Sequence, residues 1–62
     1  MNQLLFDERE ACGRLHIGRS TLRRLQAAGR LKPVYIGRSV RYTETELARF
    51  VESLAAEQHA AV

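Results

Sequence analysis

No acidic residue occurs between Ala11 and Thr43, although that stretch holds eight basic ones: Arg14, Arg19, Arg23, Arg24, Arg30, Lys32, Arg38 and Arg41. All seven acids lie outside it, with Asp7, Glu8 and Glu10 before and Glu44, Glu46, Glu52 and Glu57 after. The formal net charge of +3 therefore hides a local block of +8. Such a block repels itself unless a polyanion neutralises it, and counterion release from a phosphate backbone is the usual compensation. A second cysteine is also missing. Cys12 alone excludes an intrachain disulfide and fits a reducing compartment. No apolar run approaches the ~20 residues that span a bilayer, and the N-terminus lacks a signal-peptide pattern. A cytoplasmic, nucleoid-associated protein without a membrane partner is expected. Lysine is scarce, one against nine arginines, a bias of GC-rich genomes. Internal repeats and low-complexity linkers are absent. Sixty-two residues confine the chain to a single domain, 1–62, with a small core.

Catalytic and metal constellations are missing too. No nucleophile, base and orienting group stand in a recognisable pattern. Cys12 and His16 have the i, i+4 spacing of helix-borne metal ligands, but two ligands do not close a zinc site, and His59 is remote. A non-enzyme with no metal and no cofactor is expected.

What is present organises the chain. Asp7 followed by Glu10 reads as a capping box, with Phe6 placed as a hydrophobic staple, and predicts a helix over Glu8 to Leu15. Ile17 suits a plug in the short turn His16-Ile17-Gly18. Gly18 is an acceptable N-cap and Gly29 a stop, so a second helix is expected from Arg19 to Ala28. On a helical wheel Leu22 and Leu25 face one way, and Ser20, Arg23, Arg24 and Ala27 the other, a basic face with no acid to pair with. Leu31, Lys32 and Pro33 read as a connector. Val34-Tyr35-Ile36 and Val40-Arg41-Tyr42 are β-rich runs joined by Gly37-Arg38-Ser39, a hairpin. Val34 and Ile36 should share one face of the first strand, and Val40 and Tyr42 one face of the second, leaving Tyr35 and Arg41 outward. Thr43 and Glu46 form a second capping box. Leu47, Phe50, Val51 and Leu54 follow at i, i+3, i+4 and i+7, the clearest amphipathic stripe in the chain. A third helix is expected from Glu44 to Ala55 or beyond, with 55–62 either frayed helix or a loose tail.

The fold class read from this order is mainly α: a small winged helix-turn-helix of three helices with a two-stranded hairpin wing. In that plan the second helix enters the major groove and its N-terminal residues meet base edges. Here those residues are Arg19, Ser20, Thr21, Arg23 and Arg24. Arginine pairs bidentately with guanine, and Ser or Thr with a base or phosphate. The wing supplies Arg38, Ser39 and Arg41, with Arg30 and Lys32 at its flank, for a minor groove or the adjacent backbone. Arg9, Arg14 and Arg49 read as ordinary surface charges. Tyr35 is either packing or a stacking platform.

From Leu5 to Leu54 the chain resembles the small winged helix-turn-helix domain of excisionases, which is related to the DNA-binding domain of MerR-type regulators. The resemblance is carried by Ala11, Leu15 and Ile17, by GRSTLRRLQAAGRL (18–31) and by VYIGRSVRYTETELARFV (34–51). It implies sequence-specific binding to double-stranded DNA, with Arg19, Thr21, Arg23 and Arg24 on the recognition helix and Arg38 on the wing. The chain departs from the pattern at Gly18, where a Ser cap is usual, at Arg23, where an aromatic is common, and at His16, where a Gly is usual. The resemblance, the small size and the absence of an effector domain point to a phage excisionase, a recombination directionality factor from an actinobacterial phage. Its expected partners are a phage integrase and further copies of itself, bound cooperatively head to tail on DNA that they bend. Two alternatives stand beside it: a small MerR-like transcriptional regulator, and a basic protein-interaction module that meets an acidic partner.

Overall fold

The computed structural model describes residues 4–60. A strand β1 (Leu5–Phe6) leads into helix α1 (Glu8–Leu15). Both halves of the capping box are present. Asp7 Oδ1 accepts the Glu10 N–H at 2.8 Å, and Glu10 Oε1 accepts the Asp7 N–H at 3.0 Å, which satisfies two donors otherwise left free at a helix start. The helix stops at His16, whose backbone is left-handed (φ 55°, ψ 44°). The N–H groups of His16 and Ile17 both return to the Cys12 carbonyl.

Helix α2 (Arg19–Ala27) starts at Gly18, which caps through backbone conformation alone. It ends one residue before expected because Ala28 serves as its cap. Gly29 has φ 75°. Its N–H reaches Gln26 O at 3.0 Å, and the Arg30 N–H reaches Leu25 O at 2.9 Å. These are the two bonds of a Schellman ending, which needs a left-handed residue at the position Gly29 fills.

Strands β2 (Val34–Ile36) and β3 (Ser39–Thr43) form the wing. The sheet is antiparallel with three strands in the order β1-β3-β2, so β3 is central. The short β1, which sequence reasoning missed, pairs Leu5 with Thr43 and Phe6 with Tyr42. Ser39 belongs to β3, so the loop is Gly37-Arg38 and not the three residues expected. Gly37 has φ 62° and Arg38 does not share its sign, the type II′ pattern that matches the strand twist. A loop shorter by one residue moves the register by one and exchanges the faces. Tyr35 stands opposite Val40, and Val34 stands opposite Arg41. Tyr35 therefore shares a face with Val40 and Tyr42. The other face carries Val34, Ile36 and Arg41, so Tyr35 does not share the face of Arg41 as expected, although it remains 62% exposed.

Helix α3 (Glu44–Ala60) continues through the Ala-rich segment; positions 61 and 62 of the expected tail lie outside the described residues. Its capping box is half formed. Thr43 Oγ1 accepts the Glu46 N–H at 3.0 Å, but the Glu46 carboxylate turns away to the connector. Leu47 and Phe50 are buried and Leu54 packs at their edge, while Val51 is 48% exposed and leaves the stripe. The core gathers Phe6, Ala11, Leu22, Leu31, Tyr42, Leu47 and Phe50 from every layer, with Cys12, Leu15, Ile17, Leu25 and Val40 around it. Leu31, read from sequence as plain connector, is completely buried. The architecture is a small winged helix-turn-helix, mainly helical, with a third strand added to the wing.

Candidate nucleic-acid interface

The face of α2 turned away from Leu22 and Leu25 carries Arg19, Ser20, Arg23 and Arg24, all exposed, with Thr21 half-buried beside them. This face has an acid after all. Glu8, in the first turn of α1, lies across the helix pair: Arg19 Nε is 3.1 Å from Glu8 Oε1. Arg23 donates twice, Nε to Oε2 and Nη2 to Oε1, each at 3.3 Å. The expectation of an unpaired basic face is thereby corrected. The sequence separates Glu8 from the block, but the helix-turn-helix angle folds α1 back over the start of α2.

The same correction extends along the block. Arg14 Nη2 donates to Glu44 Oε1 at 3.1 Å and lies over the Phe6 ring, 5.0 Å from its centroid. Arg30 pairs with Glu57 and sits over Phe50. Acids that flank the block in sequence thus partner three of its regions in space. Arg24, Lys32, Arg38 and Arg41 make no ion pair among the described residues. They are the open charges of the block.

The wing is tied to the end of α2 by two tyrosines that share one glutamine. Tyr42 Oη donates to Gln26 Oε1 at 3.1 Å, and Gln26 Nε2 donates to Tyr35 Oη at 3.4 Å. Burial, and secondarily the Glu8 charge, raise the Tyr42 pKa above the ordinary phenol value, so this phenol stays a donor. Arg38 and Ser39 are exposed at the wing tip. Arg41, half-buried on the face of Val34 and Ile36, donates from Nη1 to the Val40 carbonyl at 2.8 Å.

Between α2 and the wing, the connector is clamped to α3. Glu46 Oε2 accepts the Lys32 N–H at 3.0 Å, Arg49 Nε donates to Glu46 Oε1 at 2.9 Å, and Arg49 Nη2 donates to Arg30 O at 3.0 Å. Arg49, an ordinary surface charge by sequence, is a structural clamp. Its hydrogen bond holds the Glu46 carboxyl down to about 2, against the opposing effect of burial and helped by the Lys32 amide. Lys32 is exposed, while Arg30 is turned toward Glu57 of α3.

Two residues of this surface were missed by sequence reasoning. In sequence Glu8 is only the first residue of a helix and one of the acids before the block, and its reach depends on an interhelical angle that no local pattern encodes. Gln26 is an unremarkable helix residue until the wing register brings two phenols to it.

Helix α2 exposes four of its polar residues, and a hairpin with Arg38 exposed at its tip is tied to its last turn through Gln26. A family model described as a helix-turn-helix domain matches residues 5–55. The chain belongs to that family. No curated protein and no solved structure matches it. This helix-turn-helix protein binds double-stranded DNA in a sequence-specific manner. Among its described residues no helix is long and apolar enough to cross a membrane, and no group of three or more His, Cys, Asp or Glu side chains gathers.

Proposed function

We infer that the protein is an excisionase. It binds duplex beside a phage attachment site, bends it, and helps an integrase assemble the complex that cuts a prophage out. The helix-turn-helix family to which it belongs includes excisionase-like proteins. The observation that carries the reading is the Tyr42–Gln26–Tyr35 link. It fixes wing to recognition helix, so the two engage neighbouring grooves at a set angle. A duplex that must meet both prongs is favoured when it curves, at a deformation cost of a few kcal/mol that the extra contacts offset.

In this reading Arg19, Ser20, Thr21, Arg23 and Arg24 lie in the major groove. Arg38 and Ser39 reach the adjacent minor groove, and Arg41 and Lys32 hold phosphates. Arg30 joins them only by leaving Glu57 and Phe50. Further copies bind head to tail, with the wing of one beside α1 of the next. The test is a footprint over an attachment region of the parent genome, combined with excision reconstituted from purified integrase. Protection of repeated sites beside the integrase sites and a dependence of excision on this protein are expected. Protection confined to a promoter, with excision indifferent to the protein, would move the MerR-like regulator ahead.

A further inference from the structure

Arg19 and Arg23 stand one helical turn apart on α2, and a single carboxylate serves both. Glu8 can do this because it occupies the first turn of α1, directly after its Asp7 cap, with its side chain 27% exposed against the inner side of the pair. The two arginines remain open, 60% and 65% exposed. A guanidinium has five donors in a rigid fork. Glu8 takes Nε and one Nη2 hydrogen of Arg23. Both Nη1 hydrogens and the second Nη2 hydrogen are left, and they include the end-on pair that fits guanine O6 and N7. Arg24, the next residue, has no carboxylate against it among the described residues.

We propose that Glu8 is a positioning residue for specificity: it aims Arg19 and Arg23 at base edges and withholds part of their charge from phosphates, while Arg24 serves the backbone. The consequence is a division of labour between adjacent arginines that look equivalent in sequence. A phosphate anywhere on the duplex is held mainly by charge, and Glu8 already offsets part of the charge of Arg23. A guanine presented at the free edge of the fork does not compete with Glu8, so the carboxylate lowers random binding more than correct binding. Discrimination arises from a repulsive element as well as an attractive one. The inference rests on α2 being the recognition helix.

The experiment begins with selection from a random duplex pool, using wild type and Glu8→Gln in parallel. Affinities are then measured on the duplex selected by wild type and on its scrambled counterpart. Glu8→Gln keeps the side chain's size and removes its charge. Its ratio of selected to scrambled affinity should fall about tenfold. Its salt slope on scrambled duplex should steepen by about one phosphate, close to 0.9. In an Arg23→Ala background the same change should lose most of its effect on the ratio. Arg23→Lys tests the claim without touching α1: it keeps the charge but not the planar fork, and should lose the selected duplex while retaining the scrambled one. An unchanged ratio in Glu8→Gln, or equal losses on both duplexes that follow a drop in melting temperature, overturns the proposal. So does an Arg23→Lys variant that weakens both duplexes alike. If wild type enriches no motif at all, the recognition-helix reading fails and this inference with it. A motif enriched equally by wild type and Glu8→Gln rejects the Glu8 role alone.

Discussion

The phenol of Tyr42 donates to Gln26 Oε1 at 3.1 Å, joining the central strand of the sheet to the last turn of α2. The tyrosine is fully buried and the glutamine is not, so the bond carries the wing's position outward from the core. Tyr42→Phe should cost about 1 kcal/mol, a fall in melting temperature of about 4–8 °C for a domain of this size. It should also weaken DNA binding by loosening Arg38. A variant that melts and binds like the parent would show that packing alone sets the wing angle.

One carboxyl and one phenol give the stability a defined pH window. Glu46 is held at about 2, below its ordinary 4.5. A depressed carboxyl contributes stability that is present above about pH 4.5 and lost as pH falls toward 2. Tyr42 is raised above its ordinary 10.0. Its contribution is present below that value and disappears as pH rises past its folded-state titration. Chemical denaturation across acid pH should show the first effect, and Glu46→Gln should flatten that limb. An unaltered limb would reject the Glu46 clamp.

Positions 50 and 51 adjoin on one helix and should behave oppositely. Phe50 is 5% exposed and Val51 48%. Phe50→Ala should cost about 3–5 kcal/mol, comparable to the whole stability of a small domain. Val51→Ser should change stability by less than about 0.5 kcal/mol. Comparable losses in the two variants, read by urea denaturation, would contradict the packing of α3.

His16 carries the positive φ that closes α1. A non-glycine residue there is strained by about 1–2 kcal/mol, against about 0.5–1 kcal/mol for glycine's greater chain entropy. His16→Gly should therefore stabilise the protein modestly, and His16→Val should destabilise it by more. A destabilised glycine variant would mean that the imidazole makes a favourable contact that outweighs the strain.

Binding should be less salt-sensitive than eight cations alone would give. Arg14 and Arg30 are each cancelled by an acid, and Glu8 removes one further charge from the Arg19–Arg23 pair. About five effective charges remain, for a slope of log affinity on log salt near −4.5. A slope near zero between about 50 and 200 mM salt would remove phosphate contacts from the account.

Much of this architecture is written in short-range signals. Asp7 and Glu10 announce α1, Gly29 ends α2, and the spacing of Leu47, Phe50 and Leu54 places α3 on the core. Where reading failed, the missing information was non-local or one residue wide. Two residues of β1 are too few to show a period, and their partners lie in Thr43 and Tyr42. The boundary between Arg38 and Ser39 is a matter of turn geometry, and on it depends which way Tyr35 looks. The basic face of α2 was legible as a charge pattern. Its restraint by Glu8 was not, because an ion pair between two helices is decided by their crossing angle.

The Gly37-Arg38 turn imposes a rule of parity on the wing. Side chains alternate with a period of two, so one inserted residue would carry Tyr35 away from Gln26 and turn Val34 and Ile36 inward. Residues added in pairs, one to each strand, would lengthen the hairpin and leave every facing intact. The reach of this wing along a duplex can therefore be extended in even steps, while the substitution of Arg38 within the turn is free to vary what its tip presents.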